Sequence, residues 1–272
     1  DAYSPELAAL RAKMKALKMD GKTEERVLDQ LLFEHTELED RIREKLSEQI
    51  HPYKKEINEA LTNTATLDIL LAKAQQTIDM QLCKPEISTG TTRYTKIFNP
   101  QVKEVLWQEG KKFQAIDIDI EQGACLITGA NMAGKSVILK TVALAQTLFQ
   151  FGFYVPAEQA EIALVDEVLL CIGDEQSELS GLSSYASEML RVNAIVQDVK
   201  AGKNALILID ELARTTNPTE GKAIVNAMLD FLTDQQARSL ITSHYSGIKA
   251  RCKKMRVKGF VKEHVKGQLT IN

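Results

Sequence analysis

Several protein classes are excluded by what this chain has little of. It carries 4 cysteines in 272 residues, at positions 83, 125, 171 and 252. None stands close enough in sequence to another to form a zinc-binding pair. Cys125 falls in an apolar run that reads as a buried strand, and free buried thiols suit a reducing, cytoplasmic compartment. No apolar run approaches the roughly 18 residues of a membrane-spanning helix; the longest tight one is Ala205–Ile209. The start of the chain lacks a signal-peptide pattern. An excess of one charge is lacking too: 34 Lys and Arg stand against 37 Asp and Glu, a net charge of −3. Bulk positive charge is therefore not how this chain would hold nucleic acid.

What is present fits a folded chain with one good-sized domain and a smaller one, since 44% of the residues are hydrophobic and 26% charged. Between residues 6 and 84 there is one glycine, Gly21, and one proline, Pro52. The same stretch is rich in Leu, Ala, Glu, Lys and Gln, which favour helix. Ser4-Pro5 reads as an N-cap and first-turn proline of a helix over about 5–19, closed by Asp20-Gly21. A second helix begins after Thr23. Leu38, Ile42, Leu46, Ile50, Tyr53, Ile57 and Leu61 then recur at three- and four-residue steps, one apolar stripe that Pro52 should kink. A third helix is expected over about 66–82. Together these predict an α-helical hairpin with an apolar seam over 1–85.

From residue 86 to 272 the pattern changes to short β-prone runs alternating with helical ones, an α/β domain with a mostly parallel central sheet. Strands are expected at 113–120, 125–128, 162–172, 206–210 and 240–242. Helices are expected at 135–151, 184–200 and 219–232, and a small hairpin around Gly267.

The strongest chemical signal is Gly129-Ala130-Asn131-Met132-Ala133-Gly134-Lys135-Ser136, a phosphate-binding loop pattern between a strand and a helix. Its glycines let backbone N–H groups turn toward phosphate oxygens, and the helix N-terminus adds positive potential. Lys135 would reach the β- and γ-phosphates of ATP, and Ser136 would hold Mg²⁺. A second signal is the apolar run Leu206–Ile209 ending in Asp210-Glu211. Two acids at a strand end are common on a solvated rim. After a phosphate loop, they suit a metal-supporting Asp210 and a water-activating Glu211. Ser180-Gly181-Leu182-Ser183-Ser184 reads as a helix cap or as a phosphate contact delivered to another subunit. Thr242-Ser243-His244-Tyr245 places a histidine after a strand, either structural or sensing a γ-phosphate.

Together these motifs resemble the MutS family, a branch of the ABC-type P-loop ATPases. The loop GANMAGKS is similar to the family's GPNMGGKS and keeps its Asn-Met pair. Val155-Pro156-Ala157-Glu158 resembles VPAE, SGLSSYASEM (180–189) resembles SGRSTFMVEM, and DELARTT (210–216) resembles DEIGRGTS. Ser243-His244-Tyr245 resembles THY, Asn99-Pro100 with Val102 resembles HPVV, and Leu67-Asp68-Ile69-Leu70 resembles the end of the family's helical lever domain. The resemblance implies that Phe113 stacks on adenine with Gln114 beside it. It implies that the loop, Gly129 through Ser136 and on to Val137, holds nucleotide, and that Ser136 and Asp210 serve the metal. Lys135, Glu211 and His244 would carry the catalysis, with His244 as the γ-phosphate switch. Ser183 would act in trans on the partner's nucleotide in a homodimer with two composite sites.

Ala130, Ala133, Leu182, Thr215, Asn217 and Pro218 depart from the family patterns without removing a catalytic side chain, which implies a divergent member. The sequence has no Phe-x-Glu mismatch wedge and no segment resembling a nuclease domain. With Asp1 in first place, it reads as an excised piece or as a short relative, DNA being reached through parts not in this chain. The function expected is Mg-dependent ATP hydrolysis that closes and reopens a dimer coupled to DNA handling. The alternatives are a nucleotide-dependent assembly switch with little turnover, a factor acting on a metabolic enzyme, or another ABC-type ATPase. The basic run from Lys249 to Lys258 reads as a solvated face more than a DNA contact.

Overall fold

The computed structural model describes residues 4–20, 25–129, 134–172, 184–214, 216–257, 263–265 and 268–270. In chain order the elements are α1 (Pro5–Asp20), α2 (Glu25–Ile50), a single 3-10 turn (His51–Tyr53), α3 (Lys54–Met80), β1 (Glu86–Ser88), β2 (Thr92–Ile97), α4 (Pro100–Gln108), β3 (Ile116–Ile120) and β4 (Ala124–Thr128). There follow α5 (Lys135–Gln150), β5 (Gln159–Ala163), β6 (Glu167–Cys171), α6 (Ser184–Lys200), β7 (Ala205–Ile209), α7 (Pro218–Asp234), β8 (Ser239–Thr242), β9 (Lys253–Arg256), β10 (Glu263–Val265) and β11 (Gln268–Thr270). The chain divides into two compact units, Asp1–Leu71 and Ala72–Asn272.

In the first unit α1 packs on α2. Ser4 Oγ accepts the Leu7 amide at 3.2 Å, so the Ser-Pro start is a true cap. Leu7 and Leu31 are buried, and Arg11 donates to Glu39 Oε1 at 2.6 Å and to His35 Nε2 at 3.1 Å. The Arg11 bond holds the Glu39 carboxyl below its usual range. Two expectations are corrected here. The stripe that was read as one kinked helix is divided by the 3-10 turn at Pro52. The helix expected from 66 begins at Lys54 and runs through the threonine-rich stretch, where Thr62, Thr64 and Thr66 are accommodated by returning their hydroxyls to carbonyls one turn back.

In the second unit, four strands form a mixed sheet in the order β1-β5-β2-β3, with β1 and β5 parallel and the other pairs antiparallel. Five strands, in the order β6-β7-β8-β4-β9, are parallel throughout. This is the α/β fold with a parallel sheet that the sequence predicts. Asn99 caps α4 by accepting the Val102 amide, and Pro100 fills its first turn. All five residues of β7 are buried, as a strand sandwiched on both faces requires. Leu206 and Leu208 pack with Leu139 and Val142 of α5, while Ile207 and Ile209 pack with Ile195 of α6 and Val225 and Leu229 of α7. Each such side chain contributes about 1.5–3 kcal/mol of burial free energy. β9 was not expected as a strand, because its Lys253-Lys254-Met255-Arg256 reads as a charge run. It pairs with β4 as the edge of the sheet, where lysines are suited. β10 and β11 pair antiparallel on either side of Gly267, as expected.

Candidate nucleotide-binding edge

Because the five strands are parallel, their C-terminal ends share one edge of the sheet, where α/β proteins bind ligands. β4 lies beside β8 and β8 beside β7. The phosphate-loop motif, the acidic pair and the histidine segment therefore emerge next to one another. Gly129 follows β4; a Cβ there would sit 3.2 Å from the Val257 carbonyl oxygen and 3.3 Å from its Cβ, which favours the residue without one. Gly134 opens α5 at φ +84°, a left-handed conformation that suits glycine.

Lys135 is buried, with Nζ donating to the Gly129 carbonyl at 3.1 Å and standing 4.0 Å from Glu211 Oε1. Arg214 Nη1 lies 3.5 Å from the other Glu211 oxygen. Ser136 and Val137 are half-buried in the first turn of α5. Asp210 follows β7, where its amide donates to the Cys171 carbonyl. The hydroxyl of Thr242, at the end of β8, donates to Asp210 Oδ1 at 2.5 Å and accepts the Glu211 amide at 2.8 Å. Burial, together with the nearby Glu188 and Asp210 carboxylates, raises the pKa of the Cys171 thiol.

Beyond Glu211 the backbone is unusual. Glu211 and Ala213 both adopt left-handed φ, +50° and +59°. Non-glycine residues pay about 1–2 kcal/mol for that conformation, so neighbours must hold it. Glu188 Oε1 on α6 accepts the Ala213 amide at 2.8 Å, and Tyr245 Oη donates to the Ala213 carbonyl at 2.7 Å. Burial, and secondarily Glu188, raises the pKa of Tyr245, so the phenol stays a donor. Gly221 of α7 leaves room for it, since a Cβ there would lie 2.1 Å from Tyr245 Oη. His244 is exposed, its ring 4.1 Å from that of Tyr245.

Gly129, Gly134, Lys135, Ser136, Val137, Asp210, Glu211 and His244 thus lie on one edge. Phe113 is half-buried and Gln114 exposed in the segment before β3; among the described residues no hydrogen bond joins either to this cluster. Ala130, Asn131, Met132, Ala133 and Ser183 lie outside the described residues. Thr242 carries no expected role from sequence, and Glu188 and Tyr245 stand only as members of the 180–189 and Ser-His-Tyr motifs. The available signals were a hydroxyl closing the apolar Leu240-Ile241 run and a carboxylate one helical turn into α6.

The chemistry of the edge suits Mg-ATP. Ser136 and Asp210 are oxygen donors. No group of three or more His, Cys, Asp or Glu that could hold a metal occurs among the described residues. A serine hydroxyl and a single carboxylate are the kind of oxygen ligands that Mg²⁺ takes alongside phosphate oxygens and water.

Residues 125–269 match the family model described as MutS domain V. The chain belongs to the MutS family. Among its relatives is a protein named Endonuclease MutS2 from Caldanaerobacter subterraneus subsp. tengcongensis, 36% identical over 222 residues, covering 80% of this chain and 27% of that protein. Another Endonuclease MutS2, from Bacillus velezensis, is 36% identical over 213 residues, or 78% of this chain and 26% of that protein. A Putative endonuclease MutS2 from Bacillus subtilis is 35% identical over 217 residues, again 78% of this chain and 26% of that protein. The chain spans about a quarter of the length of these curated relatives. With the parallel sheet, the match makes this a MutS-like ATPase domain of the ABC type. No helix among the described residues is long and apolar enough to cross a membrane.

Proposed function

We propose that this MutS-family chain binds and hydrolyses Mg-ATP, that ATP closes a homodimer of its ATPase domains, and that hydrolysis reopens it to move DNA-contacting parts of a longer protein. The observation that carries this reading is the meeting of Lys135 and Glu211, 4.0 Å apart, beside an Asp210 fixed by Thr242.

In this reading the Lys135 ammonium leaves the Gly129 carbonyl for the β- and γ-phosphate oxygens and stabilises the charge that builds there. Residues 129–137 would hold the phosphates, and Phe113 with Gln114 the adenine. Ser136 and Asp210 would hold Mg²⁺, which neutralises phosphate charge when bound. Glu211 would accept the proton of the attacking water, His244 would contact the γ-phosphate, and Ser183 would serve the partner's nucleotide.

Binding of Mg-ATP followed by phosphate release tests the proposal. Glu211→Gln is expected to bind ATP and lose at least about 100-fold in turnover, in the range set by removing a general base. Lys135→Ala is expected to lose binding as well. Folded protein that binds no Mg-ATP would overturn the reading. The substitutions Ala130 and Ala133 in the loop favour a second reading, a nucleotide-dependent assembly switch, which predicts binding with negligible turnover. The endonuclease in the relatives' names belongs to those longer proteins. Pulldown from cells would separate DNA handling from action on a metabolic enzyme.

A further inference from the structure

We propose that Glu188 is a positioning residue that fixes the turn carrying Glu211 and ties the start of α6 to the hydrolytic edge. This rests on the ATPase reading above and deepens the same site. Ala213 is fully buried, and its two backbone polar groups are held from opposite sides. The Glu188 carboxylate accepts its N–H at 2.8 Å, and the Tyr245 phenol donates to its C=O at 2.7 Å. Between those bonds Ala213 stands at φ +59°, two residues after Glu211 at φ +50°. Two left-handed non-glycine residues in one turn do not stay so without outside support.

Losing the Glu188 acceptor leaves a buried N–H unpaired and frees the turn to relax. The carboxylate of Glu211, set between Lys135 and Arg214, would move with it. The phenol's place is reserved by Gly221, where any Cβ collides with it. The connection has a direction that a packing contact lacks. Glu188 lies in the first turns of α6, directly after the 180–183 stretch expected to reach the partner's nucleotide. Movement of α6 on dimer closure would therefore be passed to the turn carrying Glu211 by the Glu188 carboxylate.

The test uses the purified chain with Glu188→Ala and Glu188→Gln, the second keeping an oxygen that can accept the Ala213 N–H. Amide exchange at Ala213 is expected to speed up about tenfold or more in Glu188→Ala and to stay near wild type in Glu188→Gln. In turnover, Glu188→Ala is expected to lower kcat about tenfold with KM for ATP within about twofold, and Glu188→Gln to restore it. Should Glu188→Ala fail to fold, Tyr245→Phe removes the opposite bond and is expected to give the same split. Unchanged exchange, a Gln variant as impaired as Ala, or a rise in KM at constant kcat would overturn the proposal. A wild-type chain that hydrolyses no ATP defeats the ATPase reading instead, and exchange at Ala213 still decides whether Glu188 holds the turn.

Discussion

Thr242 uses one hydroxyl for two bonds, giving its proton to Asp210 and taking that of the Glu211 amide. Valine has the same shape without either capacity. Thr242→Val is therefore expected to strand a carboxylate oxygen and an amide, costing about 1–3 kcal/mol of stability. It is also expected to lower kcat more than ATP affinity; denaturant unfolding and steady-state kinetics read the two effects separately. Cys125 is a second residue whose surroundings set a measurable property. Burial is the main cause that pushes its thiol up to about 12, against about 8.5 for a free cysteine. Between those values the folded chain holds a proton that the unfolded chain releases. Stability from this group is complete below the unfolded value and falls as pH rises toward 12, by at most about 1.4 kcal/mol per pH unit. Cys125→Ala is expected to flatten that part of a stability-against-pH curve. A slope identical to wild type would place the titration elsewhere.

At the scale of elements, α5 shows how the fold frames the candidate site. It starts at Lys135 and ends at Gln150, and the carbonyls of the two residues just past its C-terminus are met by Lys73 of α3. Lys73 Nζ donates to the Phe151 and Gly152 carbonyls at 3.3 and 3.1 Å and lies 4.3 Å from the centre of the Phe153 ring. Two residues on, Val155 exchanges both backbone bonds with Cys83 at 2.9 Å. The end of α3 is thus fastened to the end of the helix that begins at the phosphate loop. Lys73→Met keeps the aliphatic stem and loses the charge at a helix C-terminus, so about 1 kcal/mol of stability should be lost, visible as a lower Tm. Such pairings were not legible in the sequence. The elements themselves largely were: β7 because five apolar residues in a row need burial on both faces, and α5 because it follows a glycine-rich turn with an apolar stripe. Legibility failed where side chains answer local signals in an uncommon way. The Thr-Asn-Thr-Ala-Thr run at 62–66 looks like a helix boundary, yet its threonines bond back into α3. The basic run after Ile248 hid β9, and three of its charges are answered: Lys253 meets Glu121 at 2.6 Å, Arg251 meets Asp234 at 3.3 Å, and Lys254 donates to the Ile248 carbonyl. At the candidate site, the glycines, Lys135 and the acidic pair stood out by spacing. Thr242, Glu188 and Tyr245 did not, because their roles depend on which strands and helices become neighbours.

For the whole molecule, the decisive question is how many chains make one nucleotide site. Lys135, Asp210 and Glu211 meet at the C-terminal ends of β4 and β7 and the start of α5, and in the proposed reading they are the phosphate-binding lysine, the metal-supporting carboxylate and the base. Resemblance to the MutS family implies that the opposite side of the phosphates is supplied by the 180–183 segment of a second copy. If so, bound ATP is itself part of the interface, and closure costs the translational and rotational freedom of one chain. A site completed in trans makes turnover second order in protein when dimers are scarce. The rate of ATP hydrolysis per chain should therefore rise with protein concentration and level off once dimers dominate. Glu211→Gln, which keeps the phosphate-holding residues and stalls the chemistry, should accumulate the closed form and sediment as a dimer only with Mg-ATP. A rate per chain independent of concentration, with Glu211→Gln monomeric in Mg-ATP, would mean that one chain completes its own site. In that event the link from α6 through Glu188 would report on the chain's own nucleotide rather than on a partner's.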